Sequence, residues 1–293
     1  MKRVLFLLTL LLLIITLSSC TKPNGNDEKL EFEMLSDGTY EVRVKDISVS
    51  GSINIPSTYK GISVTTLCDE AFAYCDQITS VTIPDSVKSI GSKAFYRCEG
   101  MTSVDIPESV TSIGDGAFYG CRKLVNVNIP YEVTSISCFD FKGSGSLINI
   151  EVQENNDNFK SIDGILYNKD GTVLICCPAG KTGDLIIPNS VNTIGKGAFY
   201  GCRNIKSVTI PDCVTKIDSY TFSLCDSLES ISIPDSIISV GADAFTFCVN
   251  INTVKYRGDA SGWSLMQIDS GNKHLENADV IFEQKRQGTV RNH

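Results

Sequence analysis

Twelve cysteines and two histidines are the side chains in this 293-residue chain whose chemistry would be most diagnostic. A thiol beside an imidazole makes a nucleophile, and Cys/His clusters at fixed spacing hold zinc. Both histidines, His274 and His293, lie near the C-terminus, and no Cys-x-x-Cys occurs. Neither a Gly-x-Ser-x-Gly elbow nor a Gly-rich phosphate loop is present. The sequence therefore offers no catalytic residue, no metal site and no cofactor site, and the expectation is a protein that is not an enzyme. Six cysteines (Cys75, Cys98, Cys121, Cys202, Cys225 and Cys248) occupy one position of a repeat, beside a Phe and an aliphatic. Free cysteine in such company behaves as a small buried hydrophobe. With Cys20 set aside eleven remain, an odd number that a monomer cannot pair completely. Cys176-Cys177 point to opposite faces of a strand and are assigned no chemistry.

Other short motifs also suggest chemistry. Arg257-Gly258-Asp259 spells the tripeptide that integrins recognise, and is a candidate binding site in an extracellular protein. Asp85-Ser86-Val87, Asp226-Ser227-Leu228 and Asp235-Ser236-Ile237 resemble an O-glycosylation acceptor of some anaerobic Gram-negative bacteria.

Self-similarity says what positions these residues. Ile-Pro recurs with Pro56, Pro84, Pro107, Pro130, Pro188, Pro211 and Pro234, giving a basic period of 23 residues. A period in the range of ~20–29 residues with aliphatics at fixed offsets signals a solenoid of leucine-rich-repeat type. Val81-Thr82-Ile83 and Val104-Asp105-Ile106 alternate apolar and polar, which is strand periodicity, and proline ends each run. Val87 to Ile90 gives a second extended piece closed by Gly91. Ala94, Phe95, Cys98 and Met101 then fall on one face of a predicted helical turn or two. One such unit cannot bury its own apolar face, so neighbours must stack. The unit from Pro130 diverges, with Asp140 and Ser144 where Ala and Cys are expected. A 35-residue insertion follows, and its run from Leu166 to Leu174 predicts a β-hairpin turning at Asp170-Gly171.

The first residues give an address. Lys2 and Arg3 precede an apolar run from Val4 to Leu17, shorter than the ~20 residues a spanning helix needs. Leu17-Ser18-Ser19-Cys20 resembles the lipobox of bacterial lipoproteins, which implies cleavage before Cys20 and lipidation of that residue. Several acyl chains anchor a protein far more firmly than one. The full chain carries a net charge of −8, with 42% hydrophobic and 20% charged residues. That balance is globular and opposes a nucleic-acid partner, which needs a basic footprint.

The units PDSVKSIGSKAFYRCEGMTSVDI and PNSVNTIGKGAFYGCRNIKSVTI, the segment SIDGILYNKDGTVLICCPAGK and the closing YRGDASGWSLMQIDSGNKHLENADVIF together resemble the BspA-like family of bacterial leucine-rich-repeat proteins. The resemblance covers roughly residues 30 to 282. It implies an extracytoplasmic solenoid, and several members of that family bind host matrix or other cell-surface proteins.

The expected fold is an α/β solenoid: a curved leucine-rich-repeat stack of 23-residue units with short strands and short helical turns, capped at both ends. The expected parts are a signal peptide 1–19, a lipidated cysteine and tether 20–29, an N-terminal cap 30–55, a solenoid 56–253 with its hairpin insertion at about 153–184, a C-terminal cap 254–282 and a flexible tail 283–293. Two faces are candidate binding surfaces. If the Val and Ile of each strand face inward, Thr82, Asp105, Asn128, Thr209, Ser232 and Lys255 face outward together. A second stripe places Tyr96, Tyr119 and Tyr200 beside Arg97, Arg122 and Arg203, the residue types enriched in interface hot spots. The expected function is adhesion or protein binding by a monomer, lipid-anchored to the outer membrane and displayed at the cell surface. Its partner would be a host matrix protein or receptor, a microbial surface or a glycan. The alternative is a periplasmic or outer-membrane scaffold, or a glycan-capture lipoprotein.

Overall fold

The computed structural model describes residues 28–283. The leader 1–19, the lipidation residue Cys20, the tether as far as residue 27 and the tail from residue 284 lie outside the described residues.

Each repeat makes one coil with three hydrogen-bonded sides. On the first side the Val-x-Ile strands run parallel. Ser50–Asn54, Gln77–Thr82 and Ser103–Asp105 form one sheet, and Asn126–Ile129 pairs with Asn149–Val152. After the insertion come Thr182–Ile186, Asn204–Thr209, Ser230–Pro234, Thr253–Arg257 and Asp279–Phe282. Register is kept from coil to coil: Val81 lies opposite Val104, and Val208 opposite Ile231. Equivalent residues therefore stack, with the apolar pair inward and the residue between them outward. Proline ends the strand, and the consensus serine two residues later closes the corner. Ser86 Oγ donates to the Val64 carbonyl at 2.7 Å, Ser109 Oγ to that of Val87 and Ser236 Oγ to that of Val214 at the same distance. The second side is a ladder of two-residue strands such as Ser89–Ile90 and Ser112–Ile113, whose isoleucines are buried.

The third side differs from the expectation of helical turns. Ala94, Phe95, Cys98 and Met101 are fully buried, but no α-helix forms there. Lys93 and Arg97 adopt φ of 54° and 55°, left-handed values that interrupt a right-handed helix. The main chain pairs between coils instead: Phe95 N–H donates to the Ala117 carbonyl at 2.8 Å, and Arg97 N–H to that of Tyr119 at 2.6 Å. This side is a ribbon of stacked turns. Among the described residues, helix is confined to a 3-10 turn at Cys138–Phe141 and to two short α-helices, Ala260–Leu265 and Lys273–Glu276.

The stack runs to about 11 turns, more than the seven Ile-Pro units, because the segments at both ends and the insertion continue it. Leu30–Met34 pairs antiparallel with Tyr40–Val44, which joins Ile62–Leu67 in parallel. In the insertion, Phe159–Ile162, Ile165–Asn168 and Val173–Cys176 pair antiparallel, turning at Asp163-Gly164 and around Asp170-Gly171. The third of these strands rejoins the parallel ladder beside Thr193–Ile194. Two apolar clusters meet here. Leu166 and Cys176 belong to the N-terminal one, Tyr167, Leu174 and Cys177 to the C-terminal one.

Candidate binding surface

The cysteine ladder is structural. Cys98 Sγ donates to the Phe72 carbonyl at 3.0 Å, Cys121 to that of Phe95 at 3.1 Å, Cys225 to that of Phe199 at 3.2 Å and Cys248 to that of Phe222 at 3.0 Å. Ser144, the apparent departure from the pattern, makes the same bond to Phe118 at 2.9 Å. Burial pushes the Cys75 and Cys121 thiols up to about 12, so neither is a thiolate at neutral pH. Beside the ladder, Phe72, Phe95, Phe118 and Phe141 stack at centroid spacings of 5.4, 5.5 and 6.0 Å. Phe199, Phe222 and Phe245 stack at 4.9 and 5.1 Å.

The six outward strand residues lie where the alternation puts them. Thr82 sits beside Asp105, and Ser232 beside both Thr209 and Lys255. Asn128 pairs with Glu151. The insertion separates the row into two patches. Neighbouring outward positions bond to each other, as Ser80 does to Ser52 at 2.9 Å and Ser207 to Asp184 at 2.6 Å.

The turn ribbon carries the aromatic stripe. Tyr74 meets Tyr96 edge-on at 5.4 Å, Tyr96 stacks on Tyr119 at 5.0 Å, and Tyr119 meets Phe139 at 5.4 Å. Tyr74 is 50% exposed and Phe139 52%, two ring positions that sequence reading did not include. Arg97 and Arg122 converge on Glu99 at 3.1 and 3.4 Å, and Arg203 pairs with Asp226 at 2.7 Å. Tyr200 stands apart from the other tyrosines, with Lys142 Nζ 3.8 Å from its ring centroid.

The separation has a definite cause. Cys177 N–H donates to the Ala198 carbonyl at 2.7 Å, as Phe95 N–H does to Ala117, and the Cys177 carbonyl accepts Cys202 Sγ at 3.6 Å, as the Phe95 carbonyl accepts Cys121. Cys177 thus occupies a phenylalanine position. Pro178 follows it where Tyr96, Tyr119 and Tyr200 stand in other coils, so one rung of the ribbon is recessed. Two depressions flank Tyr200 there. One, of about 220 Å³, reaches Phe139, Phe141 and Tyr220. The other brings Arg122 and Arg203 together beside Tyr200. Cys138 and Cys176, bonded as a disulfide with Cα atoms 4.8 Å apart, form one wall of the first.

The charges of Arg257-Gly258-Asp259 are already engaged. The Arg257 guanidinium donates to the Ile210 carbonyl and pairs with Asp212 at 3.1 Å. Asp259 caps the helix Ala260–Leu265, accepting from Gly262 N–H at 2.8 Å and from Ser261 Oγ at 2.7 Å. Ser86 and Ser236 of the Asp-Ser motifs spend their hydroxyl protons on corner carbonyls. His274 lies on the helix Lys273–Glu276, away from the cysteine ladder.

A family model described as BspA type leucine rich repeat region matches residues 48–165 and 179–264 in six copies. The chain belongs to the BspA-type leucine-rich-repeat family. No curated protein matches it. Among solved structures, this BspA-type chain is similar to the pneumococcal vaccine antigen PcpA, with TM-score 0.63 and 15% identity over 88% of this chain and 86% of that one. It is also similar to a leucine-rich-repeat protein of Eubacterium ventriosum, with TM-score 0.56 and 22% identity over 87% and 83%. A leucine-rich-repeat protein of Bacteroides ovatus gives TM-score 0.51 and 23% identity over 87% and 70%. These likenesses concern the fold. The family model skips residues 166–178, which include Cys177 and Pro178 of the recessed rung.

Proposed function

We propose that this BspA-type protein is a lipid-anchored bacterial envelope protein that holds a macromolecular partner across its turn ribbon, without chemistry. The observation carrying this reading is the run of stacked, partly exposed rings from Tyr74 to Phe139. A monomeric protein rarely spends exposed aromatic surface in a continuous run across four coils, and Tyr with Arg makes energetic anchors when a partner excludes water. The strand row of Thr82, Asp105, Asn128, Thr209, Ser232 and Lys255 is the competing face. It carries no aromatic or Arg side chain and so offers fewer anchors. The Leu17-Ser18-Ser19-Cys20 sequence supports the lipid anchor, and the description of PcpA as a vaccine antigen supports display outside the cell.

Protease added to intact cells, with a periplasmic protein as leakage control, tests display: loss of the folded part is expected. The purified protein is then tested for attachment to host matrix proteins and to partner microbes. Tyr96→Ala with Tyr119→Ala should weaken attachment strongly, while Asn128→Lys with Thr209→Lys should not. The reverse ranking would move the function to the strand face. Protection of the folded part in intact cells would favour a periplasmic scaffold.

A further inference from the structure

We propose that the depression left by the recessed rung is the seat for one aromatic side chain carried in an acidic segment of the partner protein. The inference rests on the protein-binding reading above and narrows it to a site and a ligand chemistry.

Size comes first. About 220 Å³ is below the usual range of ~300–1,000 Å³ for small-molecule sites, but it has room for a single large side chain. Its walls are the rings of Phe139, Phe141, Tyr200 and Tyr220, which suit a ring set edge-on or offset against them. The seat is also preformed. Cys177 stands where a phenylalanine would fill the space, its backbone is fixed to Ala198, and the disulfide holds the wall behind it. A preformed seat avoids the ordering cost that weakens binding to mobile surfaces.

Charge narrows the ligand. Lys142 and Lys196 flank the depression, the first over Tyr200 and the second 5.9 Å from the Tyr220 centroid. Neither Lys142 nor Lys196 pairs with a carboxylate among the described residues. Two unpaired cations at one apolar opening, on a chain of net charge −8, make a local positive field that complements acidic residues beside the inserted ring. The lining contains no Asp, Glu, Asn or Gln, so it lacks the carboxylate and amide side chains that hold the paired hydroxyls of a sugar. That favours a peptide over a glycan.

Fluorine NMR on the peptide Asp-Glu-Trp-Glu-Asp, with its tryptophan fluorinated, tests this against the full chain. A saturable shift or broadening is expected. It should weaken by at least about tenfold in Lys142→Glu with Lys196→Glu, and by a similar factor when Lys and Arg replace the peptide's acids. A peptide with fluoroalanine in place of the tryptophan should give no saturable change. Cys177→Phe, which restores the missing ring, should abolish binding. Because that variant risks overpacking, its far-UV spectrum is compared with the parent, and the exposed Lys196→Glu change alone remains decisive. Silence up to millimolar peptide, equal response to the alanine peptide, or indifference to both lysine reversals would overturn the proposal. Saturation by sialyllactose with the peptide silent would also overturn it, in favour of an acidic glycan. The wider reading is scored separately, by cell display and by Tyr96→Ala with Tyr119→Ala.

Discussion

Cys98 Sγ lies 3.0 Å from the carbonyl oxygen of Phe72, donating its proton across two successive coils. Sulfur is a weak donor, yet the geometry recurs at Cys121, Cys225 and Cys248. The bond is a second one to a carbonyl that already accepts from Cys75 N–H at 3.2 Å within its own coil, so it adds a link between coils.

Cys98→Ser should be the best tolerated change at that position, because Ser144 already makes this bond in the next coil but one. Cys98→Val fills similar space but removes this second bond, leaving the Phe72 carbonyl with Cys75 N–H alone, at a cost of about 0.5–1.5 kcal/mol. Urea denaturation of the two variants checks the order.

Stability should fall steeply in alkali. Burial raises the Cys98 thiol far above its ordinary value of 9.0 and the Cys121 thiol to about 12. Below pH 9 both folded and unfolded chains keep these protons, and stability is independent of them. Above pH 9 the unfolded chain releases protons that the folded chain retains, so stability drops as pH rises toward 12. The slope is about 1.4 kcal/mol per pH unit for each such thiol. Denaturation at a series of pH values should show this slope, and Cys98→Ser should make it shallower.

A thiol reagent applied to the native protein at pH 8 should modify Cys213, the one exposed free cysteine among the described residues. Peptide mass spectrometry locates the label. Modification of Cys98, Cys121 or Cys225 without unfolding would contradict the packed ladder.

Asp259→Ala removes the cap of the helix Ala260–Leu265 and should lower stability by about 0.5–2 kcal/mol. A soluble Arg-Gly-Asp peptide should leave attachment of cells to the immobilised protein unchanged, because Arg257 is committed to Ile210 and Asp212. Competition by that peptide would show that the tripeptide leaves its internal contacts.

The strands, their register and the buried ladders of Phe and Cys were legible because stacking forces equivalent positions to repeat. The turn ribbon was misread because Ala94, Phe95, Cys98 and Met101 fit one face of a helix as well as they fit a tight turn. A contrary signal was present: Gly116 and Gly197 align with Lys93, and Gly120 and Gly201 with Arg97, all at left-handed φ. Glycine recurring at two positions within a supposed helix argues against it. The recessed rung was hidden because the insertion breaks the period, so nothing in the spacing aligns Cys177 with the phenylalanines. The Cys138–Cys176 bond joins residues 38 apart in sequence and required the fold to be seen.

That bond also bears on how the molecule answers a pull. A solenoid drawn out along its axis yields coil by coil, and each freed residue adds about 3.5 Å to the extended chain. The segment between Cys138 and Cys176 is closed into a loop and cannot lengthen while the bond is intact. On the order of 130 Å of slack is therefore withheld from the oxidised protein and released on reduction. A single molecule pulled from both ends would reach farther before parting once that clasp had opened.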